Sequence, residues 1–163
     1  MEKQLRKNRS RLQIFGAGVI AFTVWSLLKP LLLALMLEPE ESAAQIEVSE
    51  FPDGVLIFVL VLVLLDMVLA GVRIFIGLSA RAEGRGKPRG KTYVVFAFLI
   101  FTIQFLLLVY TTIRLIRGES DDRTVLDAAG ALVVEIGSVV TMGETAVTAV
   151  RVKKLTAALR EAG

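Results

Sequence analysis

Cysteine and histidine are both absent from the 163 residues. Without cysteine the chain forms no disulfide bond and offers no thiolate nucleophile. Without histidine it has no imidazole base, and without either residue it lacks the usual ligands of zinc, haem and iron–sulfur clusters. The remaining residues suggest no serine–histidine, cysteine–histidine or paired-aspartate arrangement. We therefore expect no metal, no cofactor and no enzymatic activity.

Proline is also scarce, at four residues, and long aliphatic segments dominate the sequence. The chain is 55% hydrophobic, with a mean hydropathy of +0.67, whereas soluble domains are about 45–50% apolar. The excess lies in four segments, at about residues 12–37, 54–80, 92–116 and 125–150. Each is long enough for a helix to cross a bilayer, which takes about 20 residues, and an open sheet would leave backbone groups unsatisfied in lipid. The sequence predicts an all-α, four-helix transmembrane bundle that forms a single domain.

Basic residues are unequally divided between the two sides of this four-span topology, although the second loop on the acidic side, residues 117–123, carries charges of both signs. The loop of residues 38–53 contains six acidic residues and no lysine or arginine, whereas fourteen of the nineteen basic residues lie before the first span, between the second and third, or after the fourth. The positive-inside rule then places both termini in the cytoplasm, and we expect the protein in a prokaryotic plasma membrane. The basic pI of about 9.4 follows from topology, so we expect no nucleic-acid partner.

The N-terminus has an alternative interpretation as a cleaved signal peptide. A basic start, an apolar run and the small residues Ser42–Ala44 imitate such a peptide. The run of about 25 residues is longer than the 7–15 apolar residues of a signal peptide. We therefore expect the first segment to remain as a span.

The glycine-rich loop of residues 81–91 lies between the second and third spans and carries a dense group of basic residues. Clusters of four or more lysines and arginines beside a span attract anionic lipid headgroups. The loop predicts such contacts for Arg85, Lys87, Arg89 and Lys91. The alternative is a solvated loop that only follows the positive-inside rule.

Five ionisable residues interrupt the apolar segments: Lys29, Asp66, Arg73, Glu135 and Glu144. Each costs at least about 2.5 kcal/mol near the bilayer centre unless it is paired, hydrated or neutralised. At a rise of about 1.5 Å per residue, Lys29 matches Glu135 in depth, and Arg73 matches Glu144. Equal depth and opposite sign predict two ion pairs. Alternatively, the two basic side chains extend to the headgroups, and Glu144 lies near Arg151 on its own helix.

Asp66 is left without a partner, close to the midplane and level with Gln104. It lies on a stripe with Ala70, Arg73, Gly77 and Ala80, which we expect to face the bundle interior. One interpretation is a hydrogen bond from Gln104 or a threonine that fixes helix packing. The other is a carboxyl group that binds and releases a proton or cation.

These patterns favour two functions. The first is proton- or cation-coupled transport, with Asp66 as the carrier, Gln104 beside it and Glu135 as a relay; a bundle this small would need a homodimer to form a pathway. The second is a non-catalytic accessory, assembly or regulatory subunit that recognises the spans of a membrane partner. The fourth segment favours the second function, because Glu135 and Glu144 lie about 180° apart on a helix and cannot share one face.

Overall fold

The computed structural model describes residues 1–36, 53–117 and 125–161, which fold into four helices. They are α1 (Glu2–Met36), α2 (Asp53–Gly84), α3 (Thr92–Ile116) and α4 (Val125–Glu161). Each contains a segment long and apolar enough to cross a membrane. The all-α prediction is therefore confirmed, together with four helices of spanning length. The helices α1, α2 and α4 also continue into the charged residues that flank the predicted spans.

The helices form a ring. Each helix packs against the next one in the sequence, and α4 packs against α1 to close the ring. Adjacent helices in this ring are antiparallel. Along α1 and α2, Gly16 lies against Gly77 and Gln13 against Gly84. The α1–α4 contact is also antiparallel, because Gly18 lies against Thr141, whereas Phe22, one turn later, lies against Gly137. The bundle therefore runs up, down, up and down.

The closest contact between helices is the crossing of α1 and α2. A Cβ atom on Gly77 would lie 2.7 Å from the carbonyl oxygen of Gly16, and a Cβ on Gly16 would lie 2.8 Å from the carbonyl oxygen of Gly77. Small residues at such a crossing allow two backbones to approach, which is how helices associate in lipid. Ala80, one turn beyond Gly77, is fully buried at the same contact.

The core occupies only one half of the bundle, which we call the packed half. It comprises α1 up to Thr23, α2 from Leu69, α3 up to Phe101 and α4 from Val139. Its largest fully buried side chains are Leu12, Thr23, Ile76, Tyr93, Met142, Thr145, Thr148 and Val152. In the rest of the bundle, the open half, the described side chains are exposed or half-buried.

The two ends of the bundle differ in charge. The packed half ends where the start of α1, the connection of residues 85–91 and the last turns of α4 meet. Most of the lysines and arginines belong to these segments, and we call this the basic end. The acidic loop of residues 38–53 lies almost entirely outside the described residues.

Candidate functional site

The five ionisable residues within the apolar segments do not form the two predicted ion pairs in the described part of the chain. Lys29, Glu135 and Glu144 are exposed, and Arg73 is half-buried. The Nε of Arg73 is buried without a hydrogen-bond partner. Matched depth was the basis of the predicted pairs, but depth along a helix does not fix the face on which a side chain lies.

Asp66 also departs from the expected position. Ala70, Gly77 and Ala80 of its stripe are buried as predicted, but Asp66 itself is exposed. The reason is that the stripe passes from the packed half into the open half. All six residues from Val63 to Val68 are exposed. Six consecutive residues cover every face of a helix, so within the described residues no helix covers α2 at this level.

Gln104 makes its contact elsewhere, at the boundary of the two halves. Its Nε2 donates a hydrogen bond to Oγ of Ser138 over 3.3 Å and so joins α3 to α4. Its Oε1 is buried without a partner. The predicted hydrogen bond to Asp66 is not formed. The ion- and proton-binding roles of Asp66, Gln104 and Glu135 stay predictions.

The best-connected polar group in the described residues lies at the basic end and centres on Glu83. Glu83 is only 7% exposed. Its carboxylate accepts a hydrogen bond from the hydroxyl of Tyr93 over 2.5 Å and pairs with Nζ of Lys153 at 3.0 Å. The three residues come from α2, α3 and α4. A buried carboxylate is tolerated when it is paired and hydrogen-bonded, and this one joins three helices.

Lys153 makes two further contacts that organise the basic end. Its Nζ donates a hydrogen bond to the carbonyl oxygen of Arg89 over 2.7 Å, and it lies over the ring of Tyr93, 5.2 Å from the centroid. A lysine at this distance from an aromatic face is held by a cation–π attraction. The connection between α2 and α3 is thus fastened to α4. Gly86 makes the turn out of α2 with a φ of 88°, a conformation that favours glycine.

A cavity of about 300 Å³, which we call the basic pocket, opens beside this cluster. Basic side chains from α1, from the connection and from α4 line it. They are Arg9, Lys87, Arg89, Lys91, Lys153 and Arg160. Glu83 is the one acidic residue in the lining. Of the four residues predicted to contact lipid headgroups, Lys87, Arg89 and Lys91 line the basic pocket and Arg85 does not.

Sequence reasoning missed Glu83 and the basic residues that join the loop from other helices. The available signal was weak: Glu83 is the single acid among the basic residues of 81–91. Its contact with Lys153 spans 70 positions of sequence. Periodicity within one helix carries no information about contacts between residues so far apart in the sequence. Arg9 and Arg160 could be assigned to the same side of the membrane, but not to the same cavity.

No family model matches this chain, and no match was found among curated proteins or solved structures. Its function has to be inferred from its own residues.

Proposed function

We propose that this protein is a non-catalytic accessory subunit of a membrane complex, and that Asp66 recognises a basic residue in a transmembrane helix of its partner. The observation that carries this proposal is the exposure of Asp66 on a stretch of α2 that no other helix covers in the part of the chain that the structure describes. Two acids of α4 support it further, because Glu135 and Glu144 are both exposed and lie about 180° apart around the helix.

The chemistry of the partner follows from the cost of the exposed carboxylate. A charged group in the hydrocarbon costs at least about 2.5 kcal/mol near the centre. Asp66 has no hydrogen bond or ion pair with any residue that the structure describes. Arg73 interacts electrostatically with Asp66, but it lies seven residues away on the same helix and the two residues form no ion pair. A lysine or arginine at the same depth on another chain would offset the cost, whereas a purely apolar helix would not.

The test uses two synthetic transmembrane peptides, both polyleucine helices, one with a single central lysine and one with leucine there. Fluorescence energy transfer between each peptide and the full chain is measured in liposomes. We expect the lysine peptide to bind more tightly by about 1–2 kcal/mol, the typical range for polar contacts between such helices. The preference should disappear in Asp66→Asn and persist in Asp66→Glu.

Glu161→Gln is the control, since it removes an exposed acid that lies outside the apolar segments, and the preference for the lysine peptide should persist in it. Equal binding of both peptides, or an unchanged preference in Asp66→Asn, contradicts the proposal. Fluorescence energy transfer between two labelled copies of the chain, measured without peptide, reports whether a second copy of this chain covers Asp66 in place of a partner protein.

Proton- or cation-coupled transport is the second candidate. The observation in its favour is Oε1 of Gln104, a buried oxygen with no hydrogen-bond partner, which is a suitable acceptor for a proton-bearing group or a cation. Because Asp66 is uncovered in the single chain, a pathway past it requires a second copy. Proton or cation flux into liposomes should fall in Asp66→Asn if this candidate is right, and unchanged flux excludes it.

We also propose that both termini, and with them the basic end, lie on the cytoplasmic side of a prokaryotic plasma membrane. The positive-inside rule supports this orientation. The chain has no cysteine, so labelling of a single introduced cysteine shows on which side of the membrane that position lies. In right-side-out membrane vesicles, an impermeant maleimide should label Ser42→Cys and leave Ser10→Cys unlabelled; the reverse pattern inverts the topology.

A further inference from the structure

We propose that the basic pocket is a binding site for a phosphate-bearing anion, supplied either as the headgroup of an anionic phospholipid or as a phosphate compound in solution. This site is separate from Asp66, and the inference does not depend on the proposed role of that residue.

The charges around the cavity favour an anion. Six basic side chains line it, against one acid. The acid, Glu83, is already engaged by Lys153 and by the hydroxyl of Tyr93. The other five basic residues have no acidic neighbour in the lining to balance them. Like charges gathered around one cavity repel each other, and a bound anion removes that cost.

Arg9 supplies an independent indication of a ligand. Its Nε is buried and makes no hydrogen bond within the described residues. A buried donor without an acceptor costs about 1–3 kcal/mol. One of its terminal nitrogens lies 3.7 Å from the position that a Cβ on Gly86 would occupy, which places the guanidinium against the turn at the pocket edge. A phosphate oxygen in the pocket would provide the missing acceptor.

The pocket is assembled by tertiary structure. Apart from Glu83 of α2, its lining comes from α1, from residues 86–91 and from the last three turns of α4. The hydrogen bond from Lys153 to the carbonyl oxygen of Arg89 holds the connection beside α4, and the Glu83–Lys153 pair fixes the lysine. A solvated loop that only obeys the positive-inside rule would need no such fastening to a distant helix.

Phosphate fits this donor set better than a carboxylate does. Its oxygens accept from several donors at once, and arginine presents a planar fork of donors that matches two of them. The pocket also lies at the point where α3 enters its apolar segment, since Lys91 immediately precedes Thr92. Basic pockets between transmembrane helices on the cytoplasmic side are places where phospholipid headgroups bind.

The experiment uses the full chain in nanodiscs of phosphatidylcholine, in two arms. In the first, phosphatidylglycerol is added to the bilayer and retained lipid is measured by native mass spectrometry. In the second, pyrophosphate is titrated into the aqueous phase and its binding is measured by calorimetry. We expect saturable binding in at least one arm. Binding of phosphatidylglycerol alone identifies a lipid headgroup, and binding of pyrophosphate identifies a soluble phosphate compound.

Arg9→Gln and Arg160→Gln should each weaken that binding about tenfold or more, because each removes a charge-assisted contact. Arg85→Gln and Lys154→Gln remove the same charge beside the pocket, from exposed residues that do not line it, and should change binding less than about twofold. Arg160 lies in the last turn of α4, so its replacement leaves the core intact. The proposal is overturned if neither ligand binds, or if the control variants weaken binding as much as the pocket variants.

Discussion

Glu83 illustrates how one residue can determine the arrangement of several helices. It is an acid in a strongly basic stretch, and its burial is tolerated because Tyr93 and Lys153, from two other helices, both contact its Oε2. Removing one partner of a buried charge leaves a carboxylate that is desolvated and incompletely paired. Removal of a single group that contacts Glu83 should therefore lower the stability of the packed half.

Tyr93→Phe removes only the hydroxyl that donates to Glu83. A hydrogen bond to a charged group contributes about 1.5–3 kcal/mol, so we expect the free energy of unfolding to fall by about that amount. The measurement is unfolding of the purified chain in mixed micelles, followed by circular dichroism. Tyr110→Phe makes the same change in a side chain that is 60% exposed on the same helix and should have no effect. Equal stability of the two variants would contradict the role assigned to Glu83.

Among the helices, α2 shows best what periodicity predicts and where it fails. The spacing of Ala70, Gly77 and Ala80 indicated a buried stripe, and all three are buried. Asp66 continues the same stripe by sequence yet is exposed. Periodicity assigns residues to a face, but the length over which a neighbouring helix covers that face is a tertiary property. The two predicted ion pairs are not formed in the described residues for a related reason, because equal depth does not bring two side chains to facing sides of their helices.

Gly77→Ala tests the crossing of α1 and α2. The added methyl group would meet the backbone of Gly16, which cannot rotate away, and overpacking of this kind costs about 1–3 kcal/mol. Gly71→Ala is the matched control on the same helix, because nothing lies within 4 Å of its added Cβ. There the better helix propensity of alanine should leave stability unchanged or raise it by up to about 1 kcal/mol. Thermal midpoints in detergent distinguish the two; a stable Gly77→Ala variant would contradict the close crossing.

For the whole molecule, composition was sufficient to predict four helices of spanning length, because apolar length and the need to satisfy the backbone leave few alternatives. Composition could not predict the basic pocket, nor could it predict the order of the helices around the bundle. Both depend on contacts such as Gln104 with Ser138 and Lys153 with Arg89, which join residues far apart in the chain. No signal within a single segment records such contacts.

Cysteine pairs test the helix order directly, since the natural chain contributes no thiol. Gln104→Cys combined with Ser138→Cys should form a disulfide on mild oxidation, because the two side chains are already in contact between α3 and α4. Thr102→Cys combined with Ser138→Cys is the control; Thr102 is exposed and lies about 160° around α3 from Gln104. Gel mobility under non-reducing conditions is the measurement. Equal cross-linking of both pairs would contradict the packing of α3 on α4.

The Glu83–Lys153 contact also has a consequence for biosynthesis. Translation proceeds from the N-terminus, so Glu83 and Tyr93 leave the ribosome well before Lys153 does. Until Lys153 in α4 has been synthesised, the nascent chain carries an acid whose counterion does not yet exist. The basic end therefore cannot close before that point, and a product truncated before Lys153 would leave the Glu83 carboxylate without its cation.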